Sequence, residues 1–499
     1  NRGPTHYECV ALPTEPKWQK RLQKYCFFLN CANFYAFFCV YGIFFVPLQA
    51  KLIAKRRNDM KKTGLIVFLL VTISMPISAA NSSYRTKVLT PDFIKTLRAR
   101  YVDSQTLEPI GGDPVRPFLV KSPGMSIGEE GDVQKHLLEI SFDEMSHDTH
   151  QYTYTLLHLN ADGTQSALSS YEYVDGFTTQ EITTYEHSLN TSELYTHYSF
   201  TFPNADMIIK VSGNYAIKIY EDGDEDKTIA WVCFSVVEPS TSIRAKVRPN
   251  TDIEINRRYQ QLDIDVQTDR YENRTANGNE YFIVVQQNGR RDNQAYAPKP
   301  TFIEANKLRY THCRELIFEG GNEYHHFDTY STYFAGTGVD RIAHDRNDYH
   351  ALLFADALRA NDNYMHEFDV NGQWVVNAER TLYDIETEAE YMWVHWTLPA
   401  AQPWLDGVIY VGGDLFENSL SPRNRMQYDN ERRCYWLTAL VKQGGYDYQY
   451  WFVSKESQAV TLQRTEGSHW ETENEYTIYV YHRPFGSRAD RLVGLQVIH

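Results

Sequence analysis

Apolar and polar residues alternate with a period of two in short runs over most of the chain. In residues 210–220, Tyr215, Ile217 and Ile219 fall on one face, the acidic turn Glu221-Asp222-Gly223-Asp224-Glu225-Asp226 follows, and residues 228–237 run apolar as far as Glu238-Pro239. That pattern predicts a hairpin. Residues 151–160, closed by Asp162-Gly163, and 195–202, ending at Pro203-Asn204, predict two further strands. A second set begins after Pro239 with residues 242–247, the strict alternation of Leu262, Ile264 and Val266, residues 281–285 before Asn288-Gly289, and residues 316–318 leading into Glu319-Gly320-Gly321-Asn322-Glu323. Residues 370–376 close that set beside Trp374. The acidic stretch 384–390 marks the next joint, and a third set runs through residues 391–396, 408–411, 435–441 and 446–453. Helical signals are sparse: Thr90-Pro91-Asp92 predicts a short helix running through Phe93 and Leu97, and residues 352–358 a turn or two. Short strands punctuated by Gly, Pro and Asp predict an all-β chain of tandem antiparallel β-sandwich domains with an immunoglobulin-like architecture.

Residues 60–80 depart from this pattern. Met60-Lys61-Lys62, an apolar run from Leu65 to Ile73 and the small residues Ser78, Ala79 and Ala80 have the order of a secretory signal peptide. Ala79 and Ala80 are the candidate cleavage residues, leaving Asn81 as the new N-terminus. Residues 1–59 read as an upstream extension before the true start at Met60. The competing reading is a transmembrane helix over residues 26–50, an uncharged stretch long enough for the roughly 20 residues that a bilayer demands. No cysteine stands at the end of the apolar run or at the cleavage site, so a lipid anchor is not indicated. The expected organisation is extension 1–59, signal peptide 60–80, linker 81–104, and sandwiches at 105–239, 240–386 and 387–499.

Charge and cysteine content narrow the function classes. The first 80 residues hold 11 Lys and Arg against 3 Asp and Glu, which leaves 38 basic and 61 acidic residues and a net charge of −23 in the remainder. Nucleic acid and anionic lipid would repel such a body. Cys233, Cys313 and Cys434 are the only cysteines after residue 80, which allows at most one disulfide and excludes a disulfide-stapled scaffold.

The search for chemistry predicts no catalytic, cofactor-binding or metal-binding residues. Carboxylate pairs such as Glu386 with Glu388, or Asp224 with Asp226, read as solvated turns, and Asp222-Gly223-Asp224 lacks the full calcium-loop pattern. His325 and His326, adjacent on a strand, point to opposite faces and would not grip one ion. There is no phosphate loop. Seven of the nine tryptophans lie between Trp374 and Trp470; Trp393, Trp436 and Trp451 read as core, and Trp404 and Trp470 as the surface pair on which a sugar could stack.

Several blocks together resemble a known family. They are Tyr171-Glu172-Tyr173-Val174-Asp175-Gly176-Phe177, Tyr195-Thr196-His197-Tyr198, Ser212-Gly213-Asn214-Tyr215 with Tyr220-Glu221-Asp222-Gly223-Asp224, Phe318-Glu319-Gly320-Gly321-Asn322-Glu323, residues 466–476 and residues 488–494. In this order they resemble the plug proteins of the type IX secretion system. The resemblance implies a periplasmic protein, free of the membrane after signal cleavage, that docks on a large outer-membrane translocon barrel protein and seals its periplasmic opening, without an active site or cofactor. Separately, residues 408–416, Arg425-Met426 and residues 444–450 resemble the early-set sandwich of glycogen-binding modules, although Glu417-Asn418 stand where sugar binders carry a tryptophan. The alternative expectation is therefore a periplasmic carbohydrate-binding module protein using Trp404 and Trp470.

Overall fold

The predicted hairpin forms where the alternation placed it. Gly213–Glu221 pairs antiparallel with Thr228–Val237, and Asp222 and Gly223, both at positive φ, make the turn. Its other edge pairs with Tyr152–Leu159. Tyr215, Ala216, Ile217 and Ile219 are all buried, so this interior strand is covered on both faces rather than one. The computed structural model describes residues 83–499 except 105–117, 123–124, 128–135, 269–279, 305 and 347. Met60, the candidate cleavage residues Ala79 and Ala80, and the apolar stretch 26–50 lie outside the described residues.

The first sandwich sets this sheet, with Lys87–Val88 and Thr179–Ile182 at its ends, against a second sheet of Ile94–Asp103, His136–Glu144, Thr196–Phe202 and Thr184–His187. Leu138, Ile140, Phe142, Tyr198 and Phe202 from one sheet and Tyr215, Ile217, Val232 and Phe234 from the other belong to its core. The helix expected after Thr90-Pro91-Asp92 is instead a single turn, in which Phe93 and Ile94 both donate to the Thr90 carbonyl at 3.0 and 2.8 Å. The chain then extends because Ile94–Asp103 finds a partner in His136–Glu144. The second helical expectation meets the same fate: Asp348–Leu353 is a strand between Val339–Asp345 and Tyr391–Pro399. Pairing with sequence-distant strands overrides a weak local preference.

The other strands are distributed differently from a simple series. Tyr281–Gln287 of the middle set pairs with Tyr476–His482, which pairs in turn with Arg491–Ile498 at the end of the chain. This sheet packs on Ser242–Arg248, Tyr259–Gln267 and Lys307–Tyr310, so Leu262, Ile264, Val266, Ile283 and Leu308 share one core with Tyr476, Ile478 and Val480. The third sandwich is an insertion within the middle one. One of its sheets is Val339–Asp345, Asp348–Leu353, Tyr391–Pro399, Cys434–Lys442 and Gln427–Asp429, and the other centres on Gly444–Ser454. Their core gathers Phe327, Val394, Trp396, Ile409, Tyr446 and Tyr448. A division at residue 386 therefore cuts through the third sandwich, and residues 476–498 complete the middle one. All described residues belong to one compact unit.

Candidate functional site

The contacts between the sandwiches hold networks of buried, hydrogen-bonded charge. Asp143, on His136–Glu144 of the first sandwich, and Lys442, at the end of Cys434–Lys442 of the third, form an ion pair at 2.6 Å with both side chains fully buried. Asp143 also accepts from His197 Nδ1 at 2.6 Å and from the Tyr391 hydroxyl at 2.7 Å. Lys442 donates further to the Glu386 carbonyl at 2.6 Å and lies 4.3 Å from the centre of the Tyr195 ring.

Glu386 sits beside this pair. Its carboxylate takes Arg98 at 2.6 Å and Arg100 at 2.8 Å, both from strand Ile94–Asp103. Burial alone would raise the carboxyl, but Arg98, Lys442 and Arg100 outweigh it and hold Glu386 well below the usual range. Burial likewise opposes ionisation of Asp143, and Lys442 and His197 reverse the balance. The expectation that Glu386 lies in a solvated turn is thus corrected: it is 5% exposed. Glu388, by contrast, caps the backbone of Leu382 and Tyr383 at 2.5 and 2.9 Å. The loop after Ser188 closes on the same helical turn, with Leu189 donating to the Thr387 carbonyl at 2.9 Å and the Glu390 carboxylate accepting from the backbone of Ser192 and Glu193. Leu189, Leu194, Leu382 and Tyr383 are left exposed over this joint.

The sequence blocks singled out above occupy the other joints. Gly320 packs so tightly on the second block that a Cβ there would lie 1.9 Å from the His469 carbonyl oxygen. His469 donates to the Gly321 carbonyl, Asn474 to that of Gly320, and Asn322 to that of Glu466, at 2.8, 2.7 and 2.9 Å. Glu466 is fully buried; burial opposes its charge, and His325 and Arg359 hold it down at about 2. These bonds fix the two crossings between the middle and inserted sandwiches. On the first sandwich, Asn214 exchanges hydrogen bonds with the Tyr481 hydroxyl at 2.9 and 3.0 Å, and the Ala161 amide donates to Asp490 at 3.0 Å. Buried, hydrogen-bonded charge of this kind is poor evidence of added stability, but it fixes register and relative orientation when complete.

Where the three sandwiches meet they frame an open cleft of about 950 Å³. Its walls include Arg98 and Tyr101 of the first, Arg291 and Tyr481 of the middle, and Trp374, Glu386 and Trp451 of the third. Cys233 also faces it, its thiol pushed up to about 11 by burial despite Arg291.

The remaining expectations find these places. Cys233, Cys313 and Cys434 are free thiols. Among the described residues no group of three or more His, Cys, Asp or Glu could hold a metal ion, and no helix is long and apolar enough to cross a membrane. His325 bonds Glu466 while His326 bonds Asp447, on opposite faces as expected. Trp404 and Trp470 are both partly buried, and the ring contacts of Trp404 are with Tyr435 and Phe452 rather than with Trp470. The Trp404 ring is covered by the Arg464 guanidinium at 4.4 Å and by Phe452 at 5.5 Å. Trp451 is fully buried as expected, whereas Trp436, expected in the core, is 36% exposed because it lies on the outward face of Cys434–Lys442.

Residues 120–238 match the family model described as Type 9 secretion system plug protein 1st domain. Among solved structures, the chain is similar to a crystal structure of a hypothetical protein from Parabacteroides merdae ATCC 43184, with 35% sequence identity and a TM-score of 0.75 over 84% of this chain and 99% of that one. No curated protein matches.

Proposed function

The chain belongs to the type IX secretion system plug protein family, and from that premise we propose that it is a periplasmic plug that docks on the large outer-membrane translocon barrel and seals its periplasmic opening. One observation supports the reading above the rest. The three sandwiches are tied into one block by interlocking joints, with Asp143, Lys442, Glu386, Arg98 and Arg100 at one and Glu466 at another. A cap over a wide pore must hold its shape as a unit, and a string of independently moving sandwiches would not. The exposed Leu382 and Tyr383 beside the joint offer apolar contact area within a polar surround, the composition of a separable interface.

Within this reading the protein carries out no chemistry, takes no cofactor and reaches the periplasm by its signal peptide, with cleavage next to Ala79 or Ala80. The three sandwiches are the proposed domains, the inserted one lying within the middle one. The sugar-binding alternative loses support from the covered ring of Trp404. Affinity capture of the exported protein from gently solubilised envelopes tests the proposal: a very large outer-membrane barrel protein should co-purify.

A further inference from the structure

We infer that the chain meets the barrel through the face over the joint between the first and inserted sandwiches, and that a Lys- or Arg-bearing segment of the barrel docks there and covers its apolar side chains. That the donor is the barrel rests on the plug reading; the chemistry of the segment rests on the face itself.

Four segments build this face, and their own bonds hold them together. The Leu189 amide donates to the Thr387 carbonyl, the amides of Leu382 and Tyr383 to the Glu388 carboxylate, and that of Glu379 to the Tyr330 carbonyl at 2.7 Å. Tyr349, on Asp348–Leu353, shares a side-chain hydrogen bond with Thr332 and lies beside Tyr333. Six apolar side chains stand exposed on these segments: Leu189 and Leu194 of the first sandwich, and Tyr333, Phe334, Leu382 and Tyr383 of the inserted one. By contrast, Ile253 with Ile255 and Phe302 with Ile303 are exposed pairs on single segments. An aromatic side chain buries roughly 150–250 Å², so the rings of Tyr333, Phe334 and Tyr383, at 70%, 65% and 82% exposure, offer roughly 300–550 Å². That alone matches the largest apolar patch of an ordinary monomer, about 300–600 Å². The three leucines carry it toward the roughly 800 Å² that each partner gives to a standard interface.

Charge selects the occupant. Residues 188–195, 330–349 and 377–390 carry nine carboxylates against three arginines. Glu386 is spent on Arg98 and Arg100, and the remaining eight outnumber Arg341, Arg346, Arg380 and the neighbouring Lys95 two to one. The excess is sharpest where the two sandwiches face each other, because Glu193 of the first comes within hydrogen-bond reach of Asp348 of the inserted one. Burial, Asp348 and Glu390 push the Glu193 carboxyl up, and Lys95 offsets only part of this. A guanidinium or ammonium brought by the barrel would sit between the two carboxylates and relieve their repulsion while its apolar neighbours cover the rings. An acidic segment would add to that repulsion.

Two variants of the full chain test this. Asp348→Lys supplies the cation from within the chain, and Leu382→Ser with Tyr383→Ser removes the two most exposed of the six apolar side chains; Phe302→Ser with Ile303→Ser is the control. Each face variant must melt no lower than wild type. Wild type and control should recover the barrel protein from gently solubilised envelopes alike, and both face variants at least tenfold less. Recovery within tenfold of wild type by either face variant, or an equal loss by the control, overturns the proposal. Should a face variant melt lower, a photo-crosslinking residue at position 383 of the otherwise unaltered chain replaces it. A crosslink to a Lys- or Arg-bearing segment of the barrel supports the proposal; crosslinks no more frequent than from position 302, or only to a segment without Lys or Arg, overturn it. Wild type that recovers no barrel contradicts the plug reading itself, a failure visible before any variant is compared.

Discussion

Replacing Lys442 by Met tests the charged joint most sharply. The substitution keeps the length of the side chain and removes the ammonium from Asp143, which is fully buried. Asp143 keeps His197 and the Tyr391 hydroxyl, but its charge loses the ammonium that balances it. Breaking a buried pair in this way costs about 3–5 kcal/mol. Since about 1.4 kcal/mol is a factor of ten, opening of the joint should rise by about a hundredfold to a few thousandfold. Hydrogen exchange reads this directly, because the Leu189, Ser192 and Glu193 amides are bonded across the joint to Thr387 and Glu390. Adding Asp143→Asn removes the stranded charge, keeps its amide oxygen as an acceptor for His197 and turns its NH2 to the Tyr391 hydroxyl oxygen, which can accept, and should restore most of the protection. A single variant whose joint amides exchange less than about tenfold faster, or a double variant no better than the single, would refute the reasoning.

Three further outcomes follow from the same geometry. Asp143 and Glu386 are both held below their ordinary range in the folded protein, so their contribution to stability is whole above the unfolded carboxylate values near about 4 and is lost as the pH falls further; an acid titration followed by circular dichroism should be shallower for Glu386→Gln. Gly320→Ala should destabilise by about 1–3 kcal/mol in urea unfolding, because its Cβ meets the His469 backbone, while Gly223→Ala, with nothing within 4 Å, should cost no more than about 1 kcal/mol for its positive φ; equal costs would contradict the packing described. Burial pushes the Cys233 and Cys313 thiols up to about 11 and about 12, and that of Cys434 upward, so all three should alkylate slowly at pH 8 in the folded protein and fully in denaturant, as peptide mass spectrometry would record.

Strand character was legible because alternation is local. The hairpin of Gly213–Glu221 and Thr228–Val237 lies where Tyr215, Ile217 and Ile219 indicated. The insertion was not legible, since residues 476–482 match residues 281–287 only through pairing, and nothing in either run names its partner. The same limit hid the role of Glu386: within the acidic run 384–390 it looks like its neighbours, and only Arg98 and Arg100, far away in sequence, distinguish it. The blocks around Gly320 and Ser468 were visible as motifs, but their meaning, two halves of one joint, needed the fold. Trp436 shows the opposite error, where apolar neighbours along a strand suggested burial although alternate positions face outward.

The central claim is that this chain caps a translocon barrel. Affinity capture of the exported full chain from gently solubilised envelopes, with mass-spectrometric identification of what it carries, tests that claim most directly. A very large outer-membrane barrel protein should be recovered in stable association with the chain; recovery of the chain solely as a free monomer overturns the plug reading.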